Sequence, residues 1–385
     1  MRPANSTYRS MGTTVFEAMS RLATVHDAVN LGQGFPDDRG PEDVLRAAAD
    51  ALLTGENQYP PMMGVPALRQ AVAEHERRFY NLGFDWQSEV LVTSGATEAL
   101  AACILGLIEP GDEAIIIQPA YDAYAPLVRR AGGVPRFVSL RPPGFVLDRE
   151  TLVSAFTTRT KLVVLNNPLN PAARAFSRRE LATLAALAEE HDVYVVCDEV
   201  YEHVTFAGAR HLPFISLPGM RPRSLKIGSA GKTFSLTGWK VGMVVGPAEL
   251  IQPVAKAHQF LTFTTPPNLQ AAVAFGLGKS DNFFAGLSIE MERRRDRLAV
   301  GLQGIGFEVL PSEATYFLNV DVRSTGFAGN DVEMCRHLVE KVGVAAIPLS
   351  AFYEEAPVEH LIRFCFAKQD AVIDRALERL RGHFR

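Results

Sequence analysis

Hydrophobic runs and polar interruptions alternate along the chain from about residue 40 to about residue 250. Short runs rich in branched apolar residues, most of them bounded by glycine or proline, alternate with segments that repeat apolar residues at helical spacing. This alternation is typical of βαβ units and a mostly parallel sheet flanked by helices, and so of an α/β fold. The pattern predicts strands at 89–93, 114–118, 161–166, 193–197, 224–228 and 239–245.

One helix has a well-defined start. Ser177 is followed three residues later by Glu180, which is the spacing of a capping box. Apolar residues then recur at helical spacing and lead directly into the next predicted strand. We therefore predict a helix over 177–191.

The pattern changes beyond about residue 248, where longer helices precede predicted strands at 316–320 and 361–366. This change indicates a second, smaller α+β domain. We expect three parts, which are an N-terminal arm that contributes to the small domain and the substrate pocket (1–40), a large domain (41–278) and a small C-terminal domain (279–385).

Composition narrows the class of protein. The chain has 385 residues, of which 47% are hydrophobic, and a formal net charge of −4, so it can bury large cores and offers no polyanion-binding surface. The basic stretch at 291–297 lies beside Glu290 and Glu292, which favours a solvated helix face over a nucleic-acid patch. With no apolar leader and no run long enough to span a bilayer, we expect a cytoplasmic protein with reduced cysteines, no nucleic-acid partner and no membrane contact.

Polar residues follow several of the predicted strands, and ligands of open α/β sheets bind beyond the carboxyl ends of strands. The loops in question begin at Ser94, Asn166, Asp198 and Ser229. Taken singly, each has an ordinary explanation as a helix start, a rigid turn or a cap. Lys232 stands out because only 8 of the 39 basic residues are lysines, and lysine alone offers a primary amine that can form a Schiff base.

Two common motifs are excluded by single residues, and a metal site is not predicted from the histidine spacing. Gly231, Lys232 and Thr233 resemble the end of a phosphate-binding P-loop, but Lys226 stands where that motif requires glycine. A dinucleotide-binding fingerprint beginning at Gly32 fails because Asp37 replaces its third glycine. His203 and His211 lack metal-ligand spacing in the sequence, so no metal site is predicted.

Eight segments, taken together and in order, resemble the class I aminotransferases of fold type I, over nearly the whole chain. They are LGQGFPD, NQYPP, VTSGATEAL, NNPLNP, CDEVYEH, GSAGKTFSLTGWKVG, VGVAAIPLSAF and IRFCFAK. The resemblance implies a fold-type I transferase that uses pyridoxal 5′-phosphate and moves amino groups between amino acids and 2-oxo acids by ping-pong kinetics. It also implies a homodimer whose active site is shared across the interface.

The resemblance further implies roles for five residues around the cofactor ring. Lys232 would form the Schiff base, and Asp198 would pair with the pyridine nitrogen, which keeps the ring electron-withdrawing. Tyr201 and Asn170 would hydrogen-bond to the phenolic oxygen. Tyr121 would stack on the ring.

By the same resemblance, the phosphate would be held by the backbone of Ala96 and Thr97, by Ser229, by Lys240, and by Tyr59 of the neighbouring subunit.

On the substrate side, Arg363 would grip the carboxylate, assisted by Asn170 and the backbone of Gly34, and Phe16 would line the pocket.

Two positions depart from the family pattern. Relatives commonly have Asn-Pro-Thr-Gly where this chain has Asn170, Pro171, Ala172 and Ala173, so the backbone just past Asn170 is expected to differ. Thr264 stands where kynurenine-type relatives often carry histidine, which weakens the transfer of their substrate preference.

Several functions remain open from the sequence. Phe16, Tyr121 and Phe263 suggest an apolar pocket, which favours methionine, an aromatic amino acid or glutamine as the amino donor. The alternative donor is N-succinyldiaminopimelate of lysine biosynthesis, whose extra carboxylates would need a further cation. The same residues would serve a cysteine-conjugate β-lyase, and a PLP-binding sensor is a third class, for which a DNA-binding segment is lacking.

Overall fold

The fold is organised around a seven-stranded sheet and a smaller four-stranded sheet, as seen in a computed structural model that describes residues 2, 4–9, 11–206 and 208–384. The strands are β1 (Val29–Asn30), β2 (Val90–Thr93), β3 (Glu113–Gln118), β4 (Val134–Ser139), β5 (Thr160–Asn166), β6 (Tyr194–Asp198), β7 (Ser224–Ser229), β8 (Gly242–Val245), β9 (Glu308–Val309), β10 (Phe317–Asp321), β11 (Val344–Ala345), β12 (Ile347–Pro348) and β13 (Leu361–Cys365).

The large sheet has the strand order β2-β8-β7-β6-β5-β3-β4. Strand β8 runs antiparallel to both of its neighbours, and the other six strands run in one direction. The carboxyl ends of β2, β3, β5, β6 and β7 therefore lie at one edge of the sheet. The loops that leave this edge carry most of the polar residues singled out in the sequence.

The central strands are apolar on both faces because helices cover both faces. In β3, Ile115 and Ile117 face one core cluster, whereas Ala114 and Ile116 face the other. The helices are α1 (Ser6–Arg9), α2 (Val15–Val25), α3 (Glu42–Thr54), α4 (Pro66–Tyr80), α5 (Ala96–Leu107), α6 (Tyr124–Arg130), α7 (Arg149–Ala155), α8 (Arg178–Glu190), α9 (Ala230–Thr233), α10 (Ala248–Leu261), α11 (Pro267–Leu277), α12 (Asp281–Gln303), α13 (Asp331–His337) and α14 (Asp370–His383).

The predicted strands of the large sheet are confirmed to within a few residues, and the fold class is confirmed with them. The largest boundary error is at 239–245, because Trp239 lies in a 3₁₀ turn and β8 begins only at Gly242. Strand β4 was not predicted. It is an edge strand that is exposed at alternate positions and contains Pro135, and both features hide a strand from a search for apolar runs.

The helix predicted over 177–191 is confirmed as α8. Ser177 accepts a hydrogen bond from the Glu180 backbone N–H, and the Glu180 side chain accepts one from the Ser177 backbone. The arginines of α12 form ion pairs with acidic side chains, for example Arg293 with Glu290 at 2.8 Å. Arg293 and Arg297 lie on a solvated helix face, as expected, whereas Arg294 is buried and pairs with Asp38 and Glu290. No helix in the described ranges is both long enough and apolar enough to cross a membrane.

The C-terminal part forms the four-stranded antiparallel sheet β12-β13-β10-β9, and α12 and α14 pack beside it. The strands predicted at 316–320 and 361–366 correspond to β10 and β13. N-terminal β1 pairs in parallel with β11, so residues near the start of the chain join this C-terminal layer. The domain boundaries given above stay a prediction.

Candidate active site

The carboxyl edge of the large sheet encloses a cavity of ≈ 230 Å³. Nine of the predicted site residues line it, and they come from the ends of five different strands. They are Ala96, Thr97, Tyr121, Asn170, Asp198, Tyr201, Ser229, Lys232 and Lys240. The parallel strands gather side chains that lie up to 144 positions apart in the sequence.

Asp198, the last residue of β6, presents one free carboxylate oxygen to this cavity. Its Oδ2 accepts a hydrogen bond from the Tyr124 hydroxyl at 2.5 Å, whereas its buried Oδ1 has no hydrogen-bond partner. Burial raises the pKa of the Asp198 carboxyl, and the Tyr124 hydrogen bond opposes this effect. A buried carboxylate oxygen without a partner is costly, so Oδ1 is suited to a cationic N–H group of a ligand.

Asn166 fixes the loop that carries Asn170. Its Nδ2 donates to the Asp198 backbone oxygen at 2.8 Å, and its Oδ1 accepts from the Asn170 backbone N–H at 2.8 Å. Further along the loop, Ala173 adopts a left-handed backbone with φ +61°, the region that favours glycine. The alanine therefore takes a left-handed conformation at the position where relatives commonly have glycine.

Lys232 lies in the short helix α9, and its partly buried side chain lines the cavity. Its Nζ donates to the Gly34 backbone oxygen at 2.9 Å, and its own backbone oxygen accepts a hydrogen bond from the Tyr316 hydroxyl. Burial lowers the pKa of Lys232 to about 8, and the cations Arg363 and Lys240 act in the same direction. The amine therefore reaches its neutral, nucleophilic form at a lower pH than an exposed lysine does.

The start of α5 forms a cradle for an anion. Gly95 has φ +81°, and a Cβ at this position would lie 3.3 Å from the Lys240 ammonium nitrogen. The first backbone N–H groups of a helix lack partners within the helix, and here they lie beside a cation. Ser229 lines the same end of the cavity. This arrangement suits a phosphate group.

Arg363, on β13, lies next to the cavity and is almost completely buried. Its Nη1 donates to Asn170 Oδ1 at 2.8 Å and its Nη2 to the Gly32 backbone oxygen at 3.1 Å, whereas its Nε has no partner. The guanidinium carbon lies 3.8 Å from the ring centroid of Phe317 and 5.5 Å from that of Phe16. Among the described residues no carboxylate hydrogen-bonds to Arg363, which leaves the cation available to an anionic ligand.

A second cavity of ≈ 310 Å³ adjoins the first, and the Tyr121 side chain lines both. Its walls are mainly apolar and include Phe16 and Phe352, whose rings pack edge to face at 5.5 Å. Because Arg363 lies beside the same two rings, a ligand held by its carboxylate at Arg363 can extend a side chain into this second cavity.

Two aromatic residues singled out in the sequence are not part of either cavity within one chain. Tyr59 is 84% exposed, and its ring packs edge to face on Phe263 at 5.6 Å. Phe263 is itself partly exposed, so the expectation that it lines an apolar pocket with Phe16 and Tyr121 is not met within a single chain. Thr264 is nearby in the sequence, and its hydroxyl is buried without a partner.

A buried ionic cluster lies behind β6. Lys226, which stands where a P-loop would have glycine, pairs with Glu76 and, at 2.7 Å, with Glu202. Burial lowers the pKa of the Lys226 ammonium, but the two carboxylates outweigh burial and raise it overall. The cluster links α4 to the segment just after Tyr201.

Beside this cluster, His75, Glu202 and His203 lie close enough together to suit a metal ion. No local pattern in the sequence indicates this group, because His75 and His203 are 128 positions apart. Burial lowers the pKa of His75 to about 3 and that of His203 to about 4. The two imidazoles, both neutral, hydrogen-bond to each other at 2.9 Å, and Lys226 occupies the Glu202 carboxylate. The facing histidine nitrogens and the Glu202 carboxylate therefore have partners without a metal, whereas the buried Nδ1 of His75 has none among the described residues.

The polar groups of the first cavity fit pyridoxal 5′-phosphate. The helix start at Gly95 with Lys240 offers a phosphate cradle, the unpartnered Oδ1 of Asp198 can pair with a ring N–H, and the Lys232 amine can attack an aldehyde. These three groups demand a ligand with an anionic end, a basic nitrogen and an electrophilic carbon.

Two residues of this site were missed in the sequence, and a third, Asn166, was named only as the start of a loop. Tyr124, Asn166 and Tyr316 contact Asp198, the Asn170 loop and Lys232, respectively. Tyr124 begins a helix just after Tyr121, and no local pattern distinguished it from an ordinary core residue. Tyr316 is more than 80 positions from Lys232 in the sequence, so no local pattern connects the two residues.

Comparison with known proteins supports a common origin over the whole chain. Residues 26–380 match the family model described as aminotransferase class I and II. The solved structure of an N-succinyldiaminopimelate aminotransferase from Mycobacterium tuberculosis superposes with a TM-score of 0.96 at 48% identity, covering 99% of this chain and 100% of that chain. A methionine aminotransferase from Escherichia coli superposes with a TM-score of 0.96 at 41% identity and the same coverage. Human kynurenine–oxoglutarate transaminase 1 is 38% identical over 94% of this chain and 93% of its own length.

Proposed function

The chain belongs to the class I and II aminotransferases, and on that premise we propose that its amino donor is an N-succinylated diamino acid of the diaminopimelate type. As a member of this family it is a PLP-dependent enzyme that acts on amino acids and 2-oxo acids. The 48% identity to the N-succinyldiaminopimelate aminotransferase, over 99% of the chain, carries the proposal. This identity supports N-succinyldiaminopimelate as the amino donor more strongly than methionine, an aromatic amino acid or glutamine.

Cations near the second cavity support this donor. Arg129 pairs with Glu354, a residue of the cavity wall, through N–O distances of 2.9 and 3.2 Å. Arg141 lies 5.8 Å from the ring centroid of Tyr353, which lines the same wall. We assign to these two arginines the recognition of the carboxylates at the far end of the donor, for which no cation could be named from the sequence.

Four residues have separate roles around the reacting atoms of the donor and the cofactor. Arg363 binds the α-carboxylate of the donor in a bidentate fork, helped by Asn170. This grip would place the α-carbon next to the Lys232 amine, which would accept the α-proton and hold it at Nζ. Asp198 would keep a bound pyridine nitrogen protonated.

Pyridoxal 5′-phosphate, when bound, supplies a reactive aldehyde and an electron-withdrawing ring that stabilises negative charge at the α-carbon. Tyr201 and Asn170 would donate hydrogen bonds toward its phenolic oxygen, and Tyr121 would pack on the ring face. The residues that would hold the phosphate are Ala96, Thr97, Ser229 and Lys240.

Tyr59 completes the phosphate site from a second copy of the chain. Its large exposure within one chain supports this assignment, because an aromatic residue with one polar end is typical of an interface. The proposal therefore includes a homodimer with two shared active sites.

Donor screening by half-reaction spectroscopy tests the substrate. N-succinyldiaminopimelate is expected to bleach the cofactor absorbance with a kcat/KM at least about 10-fold above that of methionine, phenylalanine or glutamine, since an additional ion pair contributes on the order of 1.4 kcal/mol or more. Arg129→Gln should lower kcat/KM for the succinylated donor and leave methionine unchanged, whereas its exposed neighbour variant Arg130→Gln should change neither. A higher kcat/KM for methionine than for the succinylated donor would contradict the proposal and favour the methionine aminotransferase function.

A further inference from the structure

Asp122 is a charged side chain of the second cavity for which the described residues supply no side-chain partner. It follows Tyr121 beyond the carboxyl end of β3 and lines the same cavity as Phe16 and Phe352. No described side chain donates a hydrogen bond to its carboxylate. Burial raises the pKa of the Asp122 carboxyl, while its own backbone N–H and the more distant charge of Arg363 lower it.

The other polar groups of this cavity are already occupied. Glu354 pairs with Arg129. The Gln118 side chain donates to Ser139 Oγ at 2.7 Å and to the Glu355 backbone oxygen at 2.8 Å, and its Oε1 accepts from the Glu354 backbone N–H. Of the charged side chains that line this cavity in the described part of the chain, Asp122 is the one left to act on a ligand.

We propose that Asp122 is a specificity-determining residue that accepts a hydrogen bond from an N–H group on the side chain of the amino donor. The inference rests on the proposed aminotransferase reaction and deepens it by naming the class of donor. Donors of this class carry an acylated amine, a carboxamide or an aromatic amine several bonds from the α-carbon. An N-succinylated diamino acid is one member, because its acylated nitrogen keeps one hydrogen.

The location of Asp122 supports this role. Tyr121 lines both cavities and Asp122 lines the second, so a donor side chain that extends from Arg363 past Tyr121 enters the cavity that Asp122 lines. Apolar walls strengthen a hydrogen bond to a carboxylate and make an unmatched carboxylate costly. The same charge repels a short donor whose side chain ends in a carboxylate.

The variants Asp122→Leu and Asp122→Asn separate the accepted hydrogen bond from the charge repulsion. The leucine variant removes the acceptor at similar volume, whereas the asparagine variant keeps an acceptor and removes the charge. Glutamine, methionine and glutamate serve as donors, because they have similar lengths and differ in the last polar group. Glu109→Gln is the control, since it removes an exposed carboxylate at the opposite end of the same sheet.

For Asp122→Leu, kcat/KM for glutamine relative to methionine should fall about 10- to 100-fold, the range for a lost hydrogen bond to a charged group. For Asp122→Asn, kcat/KM for glutamate relative to glutamine should rise by about 10-fold or more, because the repulsion is removed. The control variant should leave both ratios unchanged.

A merely structural role for Asp122, or an effect through Arg363, would change kcat/KM for all three donors by one common factor, and that result overturns the inference. Failure of the proposed function gives a different result. In that case neither glutamine, methionine, glutamate nor N-succinyldiaminopimelate bleaches the cofactor absorbance of the wild-type enzyme. Circular dichroism of the variants, together with their PLP absorbance, identifies a variant that has not folded. If a variant has not folded, the wild-type enzyme alone tests the inference. A kcat/KM for glutamate that equals or exceeds that for glutamine contradicts the charge repulsion by Asp122.

Discussion

The Tyr124 hydroxyl donates a hydrogen bond to Oδ2 of Asp198 at 2.5 Å and leaves Oδ1 of the same carboxylate unpartnered in the cavity. The phenol thus orients the carboxylate and stabilises its ionised form, while the second oxygen stays available for the cofactor nitrogen. Both side chains are buried, so water does not substitute for the phenol.

Tyr124→Phe is expected to weaken PLP binding about 10-fold or more, since a hydrogen bond to a charged group contributes roughly 1.5–3 kcal/mol. The hydrogen bond lowers the pKa of Asp198, so its loss raises that pKa. Asp198 must be ionised to hold the proton on the ring nitrogen, and the acid limb of the kcat profile should therefore move to higher pH.

Fluorescence titration with PLP and pH–rate profiles measure both effects. Tyr80→Phe is the matched control, because its buried hydroxyl donates to Glu202 outside the cavity. Equal PLP affinities in the two variants would contradict the assigned role of Tyr124.

The lowered pKa of Lys232 predicts how the protein without cofactor captures PLP. Only the neutral amine attacks an aldehyde, and the neutral fraction rises as the pH passes through the pKa of the folded protein. The capture rate should therefore be half-maximal near pH 8, which is the pKa that burial gives this amine, rather than near the ordinary value of 10.5. Stopped-flow absorbance across pH 6.5 to 10 measures the rate, and a midpoint near the ordinary lysine value would show that burial does not tune this amine.

Lys226→Met tests the buried cluster. Removal of the ammonium leaves the Glu76 and Glu202 carboxylates buried without their cation. We expect the free energy of unfolding to fall by about 3–5 kcal/mol, the range for breaking a buried ion pair. Arg46→Met breaks an exposed pair with Glu42 and should cost under about 1 kcal/mol. Urea denaturation, monitored by circular dichroism, compares the stabilities of the two variants. Equal unfolding midpoints would show that the buried cluster does not stabilise the fold more than the exposed ion pair does.

Subunit mixing tests whether Tyr59 acts on the neighbouring site. Homodimers of Tyr59→Ala should bind PLP weakly, and homodimers of Lys232→Ala should lack the attacking amine. A hybrid of the two variants contains one site with Lys232 from one chain and Tyr59 from the other, so it should regain about half of the wild-type activity per dimer. Activity that stays at the level of the parent variants after mixing would place Tyr59 in its own chain's site.

The helices, most strands of the large sheet and its ligand-binding edge could be predicted from the sequence, because each is encoded by residues that are adjacent in the chain. Buried parallel strands carry continuous apolar runs, and the polar residues after Asn166 and Asp198 follow directly from the strand ends. Edge strand β4 was missed because half of its side chains face solvent.

Contacts between distant segments were not predictable in the same way. The bonds from Tyr316 to Lys232 and from Lys226 to Glu76 join residues 84 and 150 positions apart, and no local periodicity encodes them. The assigned roles of Lys232 and Asp198 came from a family resemblance across eight segments rather than from either residue alone. The family match over residues 26–380 confirms that resemblance.

The covalent attachment of the cofactor to Lys232 is the central claim, and borohydride reduction tests it most directly. Protein incubated with PLP, reduced and digested should yield one modified peptide that contains residue 232, with the mass of the cofactor added at that lysine. Lys232→Arg should give no such peptide, although its phosphate cradle at Gly95 and Lys240 is intact. Modification at another lysine, or none in the wild-type protein, would contradict the account.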